Sequence, residues 1–562
     1  MSVPPPADPP AAAADPAGTA TRIAAGYATD QPAVLLGTVV VDGVVDPSAQ
    51  VQVPLSMLTR HGLVAGATGT GKTKTLQLLA EQLSAAGVPV LMPDVKGDLT
   101  GLSAPGRPDA RTQARAADTG DRDWTPTGVP VEYLSLAGQG TGVPVRATLD
   151  SFGPILLSKV LDLNETQEST LGLIFHWADS RNLPLLDVQD LRAVITHLTS
   201  DEGKADLQDL GGVSRSTAGV ILRAVTNLAA QGGDTFFGEP QLDVADLLRT
   251  TPDGRGIVTL LEVAELRTNP ALFSTFLMWL LAELFEALPE VGDVERPKLV
   301  FLFDEAHLLF ADASKAFRQA VEQTVKLIRS KGVGVFFSSQ LPTDIPGPVL
   351  SQLGARVQHA LRAFTPDDQK ALAATVRTYP TTRDYDLSTA LTGLGIGEAV
   401  VTVLSERGAP TPVAWTRVRA PRSLMGPADP AGVTAAVAAS PLQSRYGTAV
   451  DRESAYEMLA ARLAPQAPPP VAGPAPTDEL PPVILPPITP PPARRPSRPD
   501  PRDSGGERPP SRTRHADRED AGPASGLGDL LNPAVGSFLR SLGSAMGGSL
   551  GRSVFGTRRR RR

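Results

Sequence analysis

Cysteine is absent from the whole 562-residue chain, which excludes disulfides, thiolate zinc sites and thiol nucleophiles. Histidine is scarce, and His61, His176, His197, His307, His359 and His515 show no paired ligand spacing, so no structural metal site is expected. A basic start and an apolar h-region are both missing from the Pro- and Ala-rich N-terminus, so the chain does not read as secreted. A charge-free apolar run of about 20 residues, as a membrane span requires, is missing too. The most apolar stretch, Ala271 to Leu288, carries Glu283 and Glu286, and its Phe273, Phe276, Leu277, Leu280, Leu281, Leu284, Phe285 and Leu288 recur at helical steps. It predicts a buried core helix, and the protein reads as cytoplasmic. A net charge of -7 argues against a uniformly basic nucleic-acid binder and leaves room for a locally basic channel. The sequence shows no base-reading motif and no aromatic stacking platform.

What the chain does have is glycine and proline, 52 and 54 residues, unevenly spread. Gly66, Gly71, Lys72 and Thr73 stand in the spacing Gly-x-x-x-x-Gly-Lys-Thr, after the apolar Leu63-Val64-Ala65 and before the helical pattern Leu76, Leu79, Leu83. Strand before and helix after are the context a phosphate-binding loop requires. Glycines let the backbone curl so that N–H groups along Gly66, Ala67, Thr68, Gly69, Thr70, Gly71, Lys72, Thr73 and Lys74 face one anion, backed by the helix dipole. Lys72 is the candidate for the β and γ phosphates of ATP, and the Thr73 hydroxyl for a ligand of Mg²⁺, the one metal expected here.

The second chemical anchor is Leu299-Val300-Phe301-Leu302-Phe303-Asp304-Glu305, an apolar run suited to a strand buried on both faces, with two carboxylates at its tip. Asp-Glu often only begins a helix. Beside a phosphate loop, Asp304 becomes the candidate Mg²⁺ ligand and Glu305 the group that orients or deprotonates the attacking water. Gly332 to Phe337 predicts the next strand, ending in Ser338-Ser339-Gln340, where Gln340 either senses the γ-phosphate or caps the strand. Val88 to Met92 is a further strand, and it ends in Pro93-Asp94-Val95-Lys96-Gly97-Asp98. Asp94 and Asp98 there are either ligand-facing groups or solvated loop carboxylates.

Taken in order, residues 1–30 are expected to be disordered and 31–60 to form a short β segment, with a hairpin turning at Asp42-Gly43. Residues 61–430 form an α/β nucleotide domain with a helical insertion at about 151–240, and 431–463 a helical extension. The Pro-rich stretch 464–526 is expected to be a disordered linker. In 527–562, Val535, Phe538, Leu539, Leu542, Met546 and Leu550 follow a glycine-interrupted helical stripe ahead of Arg558 to Arg562. That tail suits a partner protein, a sister subunit, anionic lipid or nucleic-acid phosphate, or it is only a solubilising basic end.

Arg60 to Thr73, Asp94 to Asp98, Phe303-Asp304-Glu305-Ala306-His307-Leu308-Leu309-Phe310 and Ser338-Ser339-Gln340 together resemble the HerA-FtsK superfamily of ATP-driven DNA pumps. The bacterial HerA-like ATPases of the YjgR type are the narrower likeness. It also takes in Leu163 to Gln167, Phe237 to Pro240, Leu288 to Asp293 and Asp451 to Tyr456, and so spans about residues 33–463. The resemblance implies a RecA-like core, a homo-hexameric ring, ATP sites at subunit borders, and DNA as substrate, with the C-terminal tail left as the contact for a partner nuclease, another protein or a membrane surface. By it Lys72 and Thr73 bind phosphate and Mg²⁺, Asp304 and Glu305 serve hydrolysis, and Gln340 senses the γ-phosphate. A ring motor also needs an arginine reaching into the neighbouring site, for which Arg356 and Arg362 are the candidates. The N-terminal β region is shorter than a full HerA barrel, and no C-terminal winged helix is recognisable. The rival readings are an ATP-driven protein remodeller or secretion-type motor, and a nucleotide-dependent scaffold with little turnover.

Overall fold

The computed structural model describes residues 15–136, 138–206, 211–263, 270–310 and 315–463. Its strands are β1 (Ala33–Val41), β2 (Val44–Pro54), β3 (Gly62–Ala65), β4 (Val90–Asp94), β5 (Val131–Leu136), β6 (Val143–Val145), β7 (Val258–Glu262), β8 (Leu299–Phe303), β9 (Val333–Ser339), β10 (Ala355–His359), β11 (Glu398–Thr402) and β12 (Ala414–Val418). They join in one sheet of order β2-β1-β12-β11-β10-β3-β9-β8-β4-β7-β5-β6. From β10 to β6 every neighbouring pair is parallel, and from β10 to β2 every pair is antiparallel.

Residue type explains the division. The parallel strands β3, β4, β8 and β9 are buried along their whole length, as expected of a sheet covered by helices on both faces. Phe301, Phe303 and Phe337 stack at 5.6 Å across β8 and β9. The N-terminal hairpin turns through Asp42 and Gly43 at φ 51° and 76°, the positive pair a two-residue hairpin demands. It is not a separate barrel: Gly37 to Val39 pair with Val418 to Thr416, and the hairpin extends the main sheet.

The helices are α1 (Pro16–Ala25), α2 (Lys72–Ala85), α3 (Ala110–Asp118), α4 (Leu149–Val160), α5 (Glu165–Ser180), α6 (Val188–Thr199), α7 (Arg215–Leu228), α8 (Asp234–Phe236) and α9 (Pro270–Ala287). They continue with α10 (His307–Phe310), α11 (Lys315–Ile328), α12 (Gly347–Leu350), α13 (Pro366–Val376), α14 (Leu387–Gly393), α15 (Pro430–Ala438), α16 (Gln443–Tyr446) and α17 (Ala455–Leu463). Helices α4 to α8 occupy the stretch read as an insertion, and α15 to α17 that read as an extension. Residues through Arg462 belong to one compact unit. The Pro-rich linker and the Arg-terminated tail lie outside the described residues.

One expectation is corrected. Part of the stretch read as disordered, residues 16–25, is α1: Asp15 caps it by accepting from the Gly18 N–H, and Pro16 sits in the first turn, where no N–H is needed. Ala20 and Ile23 are buried against the hairpin, and Tyr27 donates its hydroxyl to the Val401 carbonyl at 2.8 Å. Composition alone hid a helix that is stabilised by a surface far along the chain. Helix α9 is the buried core helix its pattern predicts, with Trp279, Leu280 and Leu284 inaccessible to solvent. Burial, with Glu286 adding to it, pushes the Glu283 carboxyl up to about 7. Among the described residues no helix is long and apolar enough to cross a membrane.

The last helix is tied back through a buried carboxylate. Asp190 accepts from the Leu186 and Asp187 N–H groups in the insertion at 2.8 and 3.1 Å, and from Ser454 and the Tyr456 N–H, at 2.9 Å, beside α17. Asp190→Ala leaves these donors buried without an acceptor. It is predicted to lower stability by about 3 kcal/mol, read as a drop in denaturant midpoint, and to raise amide exchange selectively in α17. An unchanged exchange pattern would show that the carboxylate does not hold the helix.

Candidate nucleotide site

The phosphate loop leaves the tip of β3 between two parallel neighbours, and the backbone of both holds it. The Gly66 N–H donates to the Ser339 and Gln340 carbonyls at 3.2 Å each on the β9 side, and the Ala67 N–H to the Ala360 carbonyl at 2.8 Å on the β10 side. Further along, the Gly397 N–H donates to the Thr70 carbonyl at 2.9 Å. Two glycines are demanded by this crowding. Gly66, at φ 149°, would bring a Cβ within 2.6 Å of the His359 Cβ, and Gly71, at φ 121°, one within 3.2 Å of the Gly397 Cα.

The loop delivers its side chains to the head of α2. The Lys72 ammonium lies over the loop, donating to the Gly66 and Ala67 carbonyls at 2.7 and 3.3 Å. Burial lowers its pKa, and the Glu305 and Asp304 carboxylates oppose that. The Thr73 hydroxyl donates to Asp304 Oδ2 at 3.1 Å. Asp304 is fixed through its other oxygen, which accepts from the Ser338 hydroxyl at 2.8 Å and from the Glu305 N–H at 2.9 Å. Two residues 231 apart in sequence thus present the two oxygens a Mg²⁺ site of this kind uses. Among the described residues no group of three His, Asp or Glu side chains could hold a metal by itself, so phosphate oxygens and water must complete the shell.

Glu305 carries positive φ, 52°, which for a side chain of this size is strained. Its carboxylate is ion-paired with Lys96, and His307 Nδ1 stands 3.4 Å from Oε2. Burial would raise its pKa, but the Lys96 hydrogen bond and charge, with His307 and Lys72 behind, hold it below the usual carboxylate range. Oε2 is buried without a hydrogen-bond partner, an acceptor suited to a water O–H. The donor set and this free acceptor fit nucleotide, Mg²⁺ and an attacking water.

The remaining candidates separate. Gln340 is exposed at the end of β9, beside the loop it supports through its carbonyl. Lys74 is half-buried and bonds Gln77 at 3.2 Å; burial lowers its pKa, and the Asp98, Asp304 and Glu81 carboxylates oppose that. Asp94 is buried and accepts from the N–H groups of Lys96, Gly97 and Leu99 at 3.2, 2.7 and 3.1 Å, so it shapes the turn that carries Lys96 and is not a solvated carboxylate. Arg356 is turned into its own fold, donating to the Leu350 carbonyl at 3.3 Å, and burial lowers its pKa. Arg362 is exposed and has no hydrogen bond or ion pair among the described residues.

Three contributors carry no sequence signal of their own. Lys96 lies in a noticed motif without an evident task. Asp344 accepts from Ser339 and from the Leu341 N–H at 2.6 and 2.8 Å, fixing the turn behind Gln340. His359 supports the loop from beneath: Nδ1–H donates to the Glu398 carbonyl at 2.8 Å, which leaves Nε2 to accept from the Thr75 hydroxyl at 2.9 Å. Burial holds its pKa down at about 4.

A histidine lowered in the fold binds its proton more weakly there than in the unfolded chain, so its stabilisation is full above pH 6.5 and is lost as pH falls towards 4. His359→Asn removes that dependence. At neutral pH the variant is predicted to be the less stable, and the gap to the native chain to narrow by about 3 kcal/mol between pH 7 and 4. Paired denaturant titrations across that range check it, and a constant gap would contradict a buried neutral ring.

A family model described as Helicase HerA-like C-terminal matches residues 41–562. No curated protein matches the chain. Among solved structures, the bacterial conjugative coupling protein TrwB in an unbound monoclinic form is 17% identical over 72% of this chain and 94% of that one, with a TM-score of 0.48. TrwB in complex with ADP and Mg²⁺ is 17% identical over 72% and 94%, TM-score 0.44. VirB4 of Thermoanaerobacter pseudethanolicus is 16% identical over 70% and 98%, TM-score 0.42. Because the family model runs over most of the chain and takes in both the phosphate loop and the Asp304-Glu305 strand tip, the chain belongs to the HerA-like helicase C-terminal family of P-loop ATPases.

Proposed function

We propose that this protein is a Mg²⁺-dependent ATP hydrolase that works as an oligomeric ring, six-membered by family resemblance, and moves double-stranded DNA through its channel. The observation that carries the ATPase reading is the meeting of Thr73 with Asp304, with Glu305 next to them and one of its oxygens free. Family membership supports the motor, and DNA is the substrate that membership favours.

In this reading Lys72 and the loop N–H groups beyond Ala67 bind and orient the phosphates at the head of α2, those of Gly66 and Ala67 being tied to neighbouring strands instead of facing the anion as the sequence suggested. Thr73 and Asp304 hold Mg²⁺, which when bound neutralises charge on the phosphate oxygens. Glu305, kept ionised by Lys96, accepts a proton from water lined up by Oε2. Gln340, exposed at the end of β9, is the residue assigned to sense the terminal phosphate. Arg362, exposed, is the arginine assigned to a neighbouring site, which its exposure supports, and Arg356 serves its own subunit.

Steady-state ATPase measured with and without linear duplex DNA at low salt tests the reading. Turnover is predicted to rise several-fold with DNA, and Glu305→Gln to lower it by at least about a hundredfold while nucleotide affinity is kept. Lys72→Ala should abolish binding itself. Activity indifferent to DNA but raised by a polypeptide would make the protein a secretion-type or remodelling motor, and near-basal turnover unchanged by Glu305→Gln would make it a scaffold. In the assembled protein, Arg362→Ala is predicted to cost about a thousandfold in turnover with little change in affinity, whereas Arg356→Ala lowers stability. The reverse pattern would move the role to Arg356.

A further inference from the structure

The two most exposed large hydrophobic side chains among the described residues are Phe364, 85% exposed, and Ile396, 77% exposed. Single exposed apolar residues are ordinary, but each of these stands in a segment whose backbone is bonded to the phosphate loop. Ile396 precedes Gly397, whose N–H bonds Thr70 and whose Cα faces Gly71. Phe364 follows Ala360, whose carbonyl takes the Ala67 N–H, by at most about 14 Å of chain. Neither is loosely placed. The Ile396 carbonyl accepts from the Arg115 guanidinium at 2.9 Å, and the Phe364 N–H donates to Asp368 at 3.0 Å at the head of α13, so both backbones are held while the side chains face out.

The direction of the bound phosphate chain gives these side chains a task. In the sheet, β9 and β8 flank β3 on one side, and β10 and β11 on the other. Asp304, Glu305 and Gln340, the groups suited to the terminal phosphate, its metal and water, all stand at the tips of β8 and β9. With the terminal phosphate turned to that side, the nucleoside end points to the β10–β11 side. A flat, weakly hydrated base there needs an apolar wall.

We infer that Phe364 and Ile396 form the shelf for the purine base of the nucleotide whose phosphates the loop holds. This rests on the ATP reading above, and it adds a base subsite that the phosphate motif does not supply. Stacking on one ring shifts affinity by roughly tenfold and discriminates poorly among bases.

The test is calorimetric titration of the full chain with two ligands, ADP with Mg²⁺ and inorganic tripolyphosphate with Mg²⁺. Phe364→Ala should weaken ADP by about tenfold and leave tripolyphosphate within about twofold. Phe364→Tyr should restore ADP, and Ile396→Ser should follow the alanine variant. Lys72→Ala should weaken both ligands, which marks the phosphate end separately. Equal effects of Phe364→Ala on the two ligands, or none on either, overturn the shelf while leaving the phosphate site standing. So does unchanged ADP affinity with a smaller assembly by light scattering, which would make the patch a subunit contact. If the native chain binds neither ligand, the ATP reading fails, and the shelf with it.

Discussion

Parallel register is the constraint on which the site depends. Gly62 to Ala65 of β3 pair with Phe336 to Ser339 of β9, and Phe303 of β8 pairs with Phe337, so β3 and β9 end together and β8 ends two residues short of them. A phosphate loop leaving β3 then lies against the carbonyls of Ser339 and Gln340, and the carboxylate that ends β8 meets the hydroxyl that opens α2. A one-residue slip of β8 would send Asp304 to the other face of the sheet. The all-apolar runs resist that slip because both faces are covered.

Around this edge, polar groups are few and closely partnered. Asp304 has an acceptor for Ser338, for the Glu305 N–H and for Thr73. Asp94 spends its oxygens on its own turn and so presents Lys96 to Glu305. Two buried atoms in this cluster lack a hydrogen bond among the described residues, Glu305 Oε2 and His307 Nδ1, which stand 3.4 Å apart, and the Glu305 backbone is itself strained. Strain and an unmet acceptor on one residue beside the loop support the hydrolytic role proposed for Glu305. His359 works in the opposite sense: neutral and doubly bonded beneath the loop, it gives the glycines a wall to turn against.

The sheet outside the nucleotide site is extended rather than duplicated. Hairpin β1–β2 continues the antiparallel edge through β12, and α1 closes over it, so the N-terminal segment becomes part of the same core as the motor strands. At the other end the insertion and the last helix share Asp190, and Arg452 pairs with Glu239. Residues far apart in sequence are thereby joined by buried charge and hydrogen bonds.

Read as a string, the chain already carried the phosphate loop, the Asp304-Glu305 strand tip, the hairpin turn at Asp42-Gly43 and the buried helix of Ala271 to Leu288. Each of these is written in local spacing, and local backbone geometry or periodicity translates it directly. Strand β6 escaped because it has only three residues and is stabilised by its neighbour β5. Helix α1 escaped because its Pro- and Ala-rich composition reads as disorder, and its buried face is defined only once the following hairpin has packed against it. Whether Arg356 or Arg362 is free, that Lys96 holds Glu305, and that His359 lies beneath the loop were decided by tertiary structure alone. The reason is physical: charge pairing, burial and register depend on distances between strand ends, and those exist only once the strands have paired.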